Sequence, residues 1–146
     1  MPARRGQPRR RRKATANTSE YLSWVEHVRN ASKKCTVIVG HKKDADVLKS
    51  LGVQHVYYVL EPYFRFLDDV VNLKRECVLL FDATHKGNVV CEQVKSDLQQ
   101  HGIKTNTRFR KMLFTSANKE LGGFLKFIHA QVAVSTRTHE AMPHGL

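Results

Sequence analysis

Short apolar runs alternate with helix-length segments through the middle of the chain, and this alternation constrains the fold more than any other feature. Strand-like runs occupy residues 35–39, 56–60 and 77–81, and a shorter one follows at 103–105. The segments between them carry apolar residues at helical spacing. Strands that alternate with helices in this way predict a parallel sheet with right-handed crossovers. We therefore predict an α/β fold: a small, mostly parallel four-stranded sheet with helices on both faces.

Charge and composition divide the chain into three regions. Residues 1–17 carry seven of the 25 lysines and arginines and no acidic residue, which predicts a disordered basic arm. Residues 18–131 hold the α/β domain, including a helix that precedes the first strand. Residues 132–146 show no strong period and predict a loose tail. Beyond the arm, 18 basic residues still exceed 13 acidic ones, so the rest of the chain is basic too. The net charge of the whole chain is +12, which predicts a polyanionic partner.

The cysteines and the hydropathy profile indicate the compartment. Cys35, Cys77 and Cys91 lie in apolar stretches without a CxxC spacing, which predicts buried thiols in a reducing environment. No apolar run approaches the roughly 20 residues that a membrane span requires. We expect a cytoplasmic protein that does not enter a membrane, with a nuclear or organellar location as the alternative in a eukaryote.

Polar residues follow the first and third predicted strands. The first strand leads into Gly40-His41-Lys42-Lys43-Asp44, and the third into Asp82-Ala83-Thr84-His85-Lys86-Gly87. In open α/β sheets, ligands bind beside the carboxyl ends of the strands. Asp44 is predicted to cap the helix that follows it. For Asp82 two interpretations stay open, a cap on the following turn and a ligand role.

These same runs resemble a Toprim domain. The matching segments are 37–44, the helix end Leu51-Gly52-Val53, and 80–87, within a resemblance that spans about residues 34–128. Small stand-alone Toprim proteins of archaea are similar, including a turn like 102–107 and a basic helix like 108–111. Toprim domains occur in bacterial-type primases, topoisomerases and some nucleases. The resemblance implies a Rossmann-like fold and Mg²⁺-dependent chemistry on phosphodiester bonds.

The chain departs from the Toprim pattern at its acidic positions. The family's glutamate, which does acid–base work, is replaced by Gly40, and the glycine after it by His41. The first magnesium-binding aspartate matches Asp82, the second is Thr84, and the downstream glycine matches Gly87. A single carboxylate is a poor basis for holding Mg²⁺, which disfavours this cofactor. We therefore predict no catalysis, with Asp82 and His41 as the candidate catalytic residues and Asp82 as the candidate metal ligand.

Neutral and basic residues at these positions favour direct contact with phosphate. We predict that the chain binds nucleic acid, RNA in preference to DNA, as a component of a ribonucleoprotein. Tyr63 or Phe64 is the candidate for stacking on a base. The predicted nucleic-acid-binding residues are Arg4, Arg5, Arg9, Arg10, Arg11, Arg12, Lys13, Lys42, Lys43, His85, Lys86, Arg108, Arg110 and Lys111.

Three alternatives remain open from the sequence. The first is a Mg²⁺-dependent nuclease or primase-like enzyme that uses Asp82 together with Asp44, Glu61 or His41. The second is a transition-metal site built from His41, His85 and Asp82. The third is a protein-interaction adaptor in which the arm only determines location.

Overall fold

The computed structural model describes residues 18–116 and 118–131. The elements, in chain order, are α1 (Thr18–Ala31), β1 (Thr36–Val39), α2 (Lys42–Ser50), β2 (Val56–Tyr58), α3 (Tyr63–Asn72), β3 (Cys77–Leu79), α4 (His85–Gln100), β4 (Thr105–Asn106), a 3-10 turn (Arg108–Arg110), α5 (Lys111–Thr115) and α6 (121–131). The predicted arm at 1–17 and tail at 132–146 lie outside the described residues. No helix within the described ranges is both long and apolar enough to cross a membrane.

The four strands form one sheet in the order β2-β1-β3-β4, and every pair is parallel. The prediction of a parallel α/β sheet is confirmed. From β1 the chain first adds β2 on one side and then crosses over to add β3 on the other. The strand order therefore reverses between β1 and β3. At such a switch point a crevice opens beyond the carboxyl ends of the two strands, which is where ligands bind in this class of sheet.

The sheet is buried on both faces, as parallel sheets generally are. Val37 and Val39 face one cluster, in which α1, α2 and α6 supply Val28, Leu48, Phe124 and others. Ile38 faces the second cluster, with residues of α3 and α4. Because successive side chains of a strand point to opposite faces, both layers need apolar residues and β1 is apolar throughout. This two-sided burial explains the continuous apolar runs in the sequence.

Helix α1 belongs to the domain and packs beside α6. The indole Nε1 of Trp24 donates a hydrogen bond to the carbonyl oxygen of Phe109 at 3.0 Å. The Trp24 ring also meets the Phe124 ring edge-on, with centroids 5.0 Å apart, and Tyr21 meets Phe124 in the same way. The first helix is thereby held to the segment that follows β4.

One predicted helix cap is wrong. Helix α2 begins at Lys42, with His41 at the N-cap position. Asp44, predicted as the cap, instead lies in the first turn and is buried. Helix α4 begins at His85. The bases that follow β1 and β3 therefore occupy the first turns of two helices.

Candidate functional site

A cavity of about 520 Å³ opens at the switch point between β1 and β3. Its polar walls include His41 after β1, and Asp82, Thr84 and Lys86 after β3. Apolar side chains, among them Phe81, complete the lining, and Glu61 and Glu120 also reach it. The structure therefore brings the sequence candidates Asp82, His41 and Lys86 to one cavity. We call the side of the sheet where the strands end the carboxyl edge.

A tight turn after β3 sets the geometry of this cavity. A side chain at Gly87 would place its Cβ only 2.2 Å from the backbone oxygen of Asp82, so glycine alone fits there. The hydroxyl oxygen of Thr84 accepts a hydrogen bond from the backbone N–H of Gly87 at 3.1 Å. Thr84 is thus the N-cap of α4, a role that a threonine fills well. This cap is a local structural role for the threonine at position 84.

Asp82 caps a helix, but not the one that follows it. Its Oδ1 accepts a hydrogen bond from the backbone N–H of Leu121 at 2.7 Å, at the first turn of α6. A carboxylate at a helix N-terminus satisfies a free N–H and interacts favourably with the helix dipole. The carboxylate therefore joins the end of β3 to the last described helix.

Asp44 lies close enough to Asp82 for their charges to interact, although it does not line the cavity. Only 6% of Asp44 is exposed, and burial raises the pKa of its carboxyl group above the usual value. The negative charges of Asp82 and Glu120 raise the pKa further, while His41 lowers it. Glu120 had no sequence signal, since it lies 38 residues beyond Asp82 and outside any motif.

The residues of this site do not fit the Mg²⁺ that a Toprim domain would hold. One oxygen of Asp82 is used by Leu121, the hydroxyl of Thr84 is used by Gly87, and Gly40 offers no side chain. Mg²⁺ needs nearly octahedral oxygen ligands and is usually held by one or two free carboxylates. Within residues 18–116 and 118–131, no three His, Cys, Asp or Glu side chains are arranged to hold a metal ion. That includes the set of His41, His85 and Asp82.

Exposed bases lie beside the cavity, at the starts of two helices. Lys42 and Lys43 lie in the first turn of α2, and His85 and Lys86 in the first turn of α4; all four are exposed. The N-terminus of a helix carries a partial positive charge and free N–H groups, which favour anions. Lys42 forms an exposed ion pair with Asp46 at 3.3 Å, which is worth little in water. We call these four exposed bases the rim. Of them Lys86 lines the cavity itself, and the exposed Glu61 and Glu120 line it as well, so the cavity is bordered by both charges.

The three bases after β4 have different environments. Arg108 and Lys111 are exposed, as a contact with nucleic acid requires. Arg110 is only 6% exposed, and its Nε donates to the Phe81 oxygen at 2.9 Å. Its Nη2 donates to the backbone oxygen of Asp82 and to Asn88 Oδ1. The prediction that Arg110 contacts nucleic acid is therefore corrected, because its guanidinium is buried among carbonyl groups.

The two aromatic candidates for base stacking also differ. The Tyr63 hydroxyl donates a 2.6 Å hydrogen bond to Asp97 Oδ2, and the ring is half-buried. Burial and this hydrogen bond raise the pKa of Tyr63. Phe64 is 64% exposed and follows Glu61 of the cavity by three residues. Phe64 is therefore the ring that a base could reach. The arginines of the arm lie outside the described residues.

Comparisons with known proteins support the fold. No protein-family model matches the chain. The chain is 26% identical over 100 residues to UPF0292 protein MJ1624 of Methanocaldococcus jannaschii, covering 66% of this chain and 78% of that protein. It is 25% identical over 112 residues to UPF0292 protein Mbar_A0484 of Methanosarcina barkeri, covering 75% and 77%. A solved structure of a protein from Aquifex aeolicus superposes with a TM-score of 0.65 at 21% identity, over 70% of this chain and 95% of that one.

Proposed function

We propose that this chain is a nucleic-acid-binding domain of Toprim-like fold that contacts the phosphate backbone directly and does not catalyse a reaction. The observation that carries the proposal is the exposed basic rim of the cavity at the carboxyl edge. This rim combines two helix N-termini with the side chains of Lys42, Lys43, His85 and Lys86. Backbone N–H groups, helix N-termini and lysines are the groups that contact phosphate in protein–nucleic acid complexes.

The carboxylates near the rim differ in how they would act on a phosphate. Asp44 is buried and does not line the cavity, and burial raises the pKa of its carboxyl group. The charge of Asp82 is partly compensated by the N-terminus of α6 through Leu121. The lysines, in contrast, extend into solvent. A backbone that follows the rim therefore meets the exposed lysines, while the exposed Glu61 and Glu120 disfavour its entry into the cavity itself.

RNA is the proposed ligand in preference to DNA. The arginine-rich arm has the composition of segments that fold on binding to structured RNA. Phe64 offers an exposed ring in the first turn of α3, which begins at the carboxyl edge, and single-stranded bases stack on such rings. We extend the proposal to a ribonucleoprotein component in the cytoplasm, because an arm of this kind would hold the domain on a large RNA.

The experiment compares the full-length chain with a variant that lacks three exposed lysines of the rim and of α5. The variant is Lys43→Ala/Lys86→Ala/Lys111→Ala, and its binding to labelled RNA and DNA is followed by fluorescence anisotropy at several salt concentrations. On single strands, each phosphate contact contributes about 0.7 to the slope of log affinity against log salt concentration. If three contacts are lost, the magnitude of this slope falls by about 2.1. Lys126→Ala, an exposed lysine on α6, is the matched control and should leave the slope unchanged.

Two outcomes would contradict this proposal. If the triple variant and Lys126→Ala bind equally well, the rim does not contact phosphate. If the full-length chain binds no nucleic acid but retains a protein partner, the adaptor alternative takes its place. Replacing the seven bases of the arm by serine in the full-length chain measures the contribution of the arm separately.

The neighbouring carboxylates of Asp44 and Asp82 favour one second candidate, metal-dependent chemistry on phosphodiester bonds. Against it stands the occupied donor set of Asp82 and Thr84. The two candidates differ in whether a divalent ion is required, which a binding titration with and without Mg²⁺ decides directly.

A further inference from the structure

A second basic surface lies at the opposite side of the sheet, where the strands begin. We call this side the amino edge. It is built from the four loops that enter β1, β2, β3 and β4, at residues 32–35, 51–55, 73–76 and 101–104. In these described loops Glu76 is the only acidic residue. The basic residues of the loops are Lys33, Lys34, His55, Lys74, Arg75, His101 and Lys104.

Hydrogen bonds hold these loops together as one surface. Arg75 donates from Nε to the Lys34 oxygen at 3.1 Å and from Nη2 to the Lys33 oxygen at 3.0 Å. The same Nη2 lies 3.3 Å from Nδ1 of His55. A cavity of about 410 Å³ lies between the loops that carry Lys74 and Lys104. The bases of all four loops are therefore neighbours, with Arg75 at the centre.

The negative ends of the helix dipoles offset only part of this positive charge. Helices α1 to α4 all end at the amino edge, and each C-terminus carries about half a negative charge. Together the four helices supply about two negative charges, and Glu76 supplies one more. Five lysines and arginines exceed this total by about two positive charges, before any histidine is protonated. The amino edge thus has a net positive charge after the helix dipoles and Glu76 are counted.

Two residues of these loops have a left-handed backbone. Among the described residues, two non-glycine residues have a positive φ, His55 at 55° and Lys74 at 54°. Both lie at the amino edge. Lys74 follows the C-cap of α3, where this conformation commonly ends a helix. Glycine adopts it at lower cost than a long side chain does, so position 74 tolerates a glycine.

We propose that the amino edge is a second phosphate-binding surface, which contacts a segment of nucleic-acid backbone separate from the one at the carboxyl edge. Helix α4 begins at the carboxyl edge and ends at the amino edge, and its 16 residues span about 24 Å. The two surfaces face away from each other across the sheet, so that the domain bridges two segments of backbone. This inference shares the class of ligand with the proposed function but depends on different residues.

The test uses the full-length variant Lys74→Gly/Lys104→Ala. Glycine at position 74 removes the charge and relieves the positive φ, so the melting temperature should not fall. On duplex DNA, each phosphate contact contributes about 0.9 to the salt slope, so the loss of two contacts lowers its magnitude by about 1.8. When salt is raised from 50 to 200 mM, the affinity of both proteins falls, and the factor by which it falls should be about tenfold smaller for the variant than for the unmodified chain.

A bridging assay provides the second measurement. Unlabelled duplex is immobilised, the protein is added, and capture of a labelled second duplex is recorded. The unmodified chain and Lys126→Ala should capture the second duplex. The amino-edge variant should bind the first duplex and lose capture of the second.

The outcomes separate this inference from the proposed function. If the rim variant binds less tightly while Lys74→Gly/Lys104→Ala matches Lys126→Ala in slope and capture, the inference is overturned and the proposed function stands. If only the amino-edge variant changes, the inference stands and the carboxyl-edge site is wrong. If the unmodified chain binds an acidic protein at the amino edge and no nucleic acid, both are overturned.

Discussion

Asp44 illustrates how single residues at the carboxyl edge are affected by folding. The side chain is taken out of water in the first turn of α2 and placed beside Asp82. Burial is the main reason that its pKa is raised, and the neighbouring charges add to the effect. A carboxylate without a compensating partner in such a place opposes folding when it is ionised. Asp44 is thus kept at some cost in stability.

We predict that Asp44→Asn changes how stability depends on pH. In the folded chain the Asp44 pKa lies above 3.8, the ordinary value for an aspartate, so the folded state holds the proton more tightly than the unfolded state. The stabilisation from this proton is complete below that value and is lost as the pH rises through the folded pKa. Relative to the variant, the unmodified chain should therefore lose stability as the pH rises from below 3.8 towards neutrality.

Urea unfolding at a series of pH values measures this difference. Asp46→Asn is the control, since Asp46 lies on the same helix, is exposed, and forms only the surface pair with Lys42. The free energy of unfolding of Asp46→Asn should differ from that of the unmodified chain by an amount that does not show the change with pH predicted for Asp44→Asn. A flat difference for Asp44→Asn would contradict the raised pKa.

At the scale of elements, Arg110 connects the 3-10 turn to the site. Its guanidinium reaches the carbonyl oxygen of Phe81, the turn after β3 and Asn88 in α4. The next residue, Lys111, begins α5 and is exposed. Two adjacent bases therefore have separate roles, because one joins three elements and the other faces solvent.

We predict that Arg110→Met lowers stability, whereas Lys111→Ala lowers nucleic-acid affinity. Methionine keeps the apolar stem but leaves buried acceptors without donors, which costs about 1–3 kcal/mol for each. Urea unfolding should show this loss for Arg110→Met and a change within about 0.5 kcal/mol for Lys111→Ala, as is usual for surface positions. Lys111→Ala should instead weaken nucleic-acid binding. Equal stability of the two variants would show that Arg110 does not hold the turn in place.

The elements that local patterns specify were predicted well, and those that depend on distant contacts were not. Burial of both sheet faces makes strands apolar throughout, so β1 and β3 could be recognised. The bond from Asp82 to Leu121 joins residues 39 positions apart and has no local signal. The burial of Arg110 depends on carbonyl groups 28 and 29 positions away, so the sequence around it indicated an exposed helix face. The N-cap role of Thr84, in contrast, was visible in principle, because threonine is one of the preferred N-cap residues.

At the scale of the whole molecule, basic residues occur at both edges of the sheet and in the arm. The carboxyl edge combines helix N-termini with lysines, and the amino edge combines lysines with helix C-termini. Acidic residues are also present at the carboxyl edge, where Asp44 and Asp82 lie close together and Leu121 donates a hydrogen bond to Asp82 Oδ1. This distribution favours association with a long polyanion over the capture of a small ligand.

Nucleic-acid affinity measured with and without a divalent ion tests the central claim most directly. The full-length chain is titrated with labelled RNA, once in EDTA and once in Mg²⁺, at constant ionic strength, and the RNA is then examined for cleavage. Direct phosphate contact predicts that binding persists in EDTA, that Mg²⁺ leaves it equal or weaker, and that the RNA stays intact. Binding that requires Mg²⁺, or cleavage that disappears in Asp82→Asn, would contradict it.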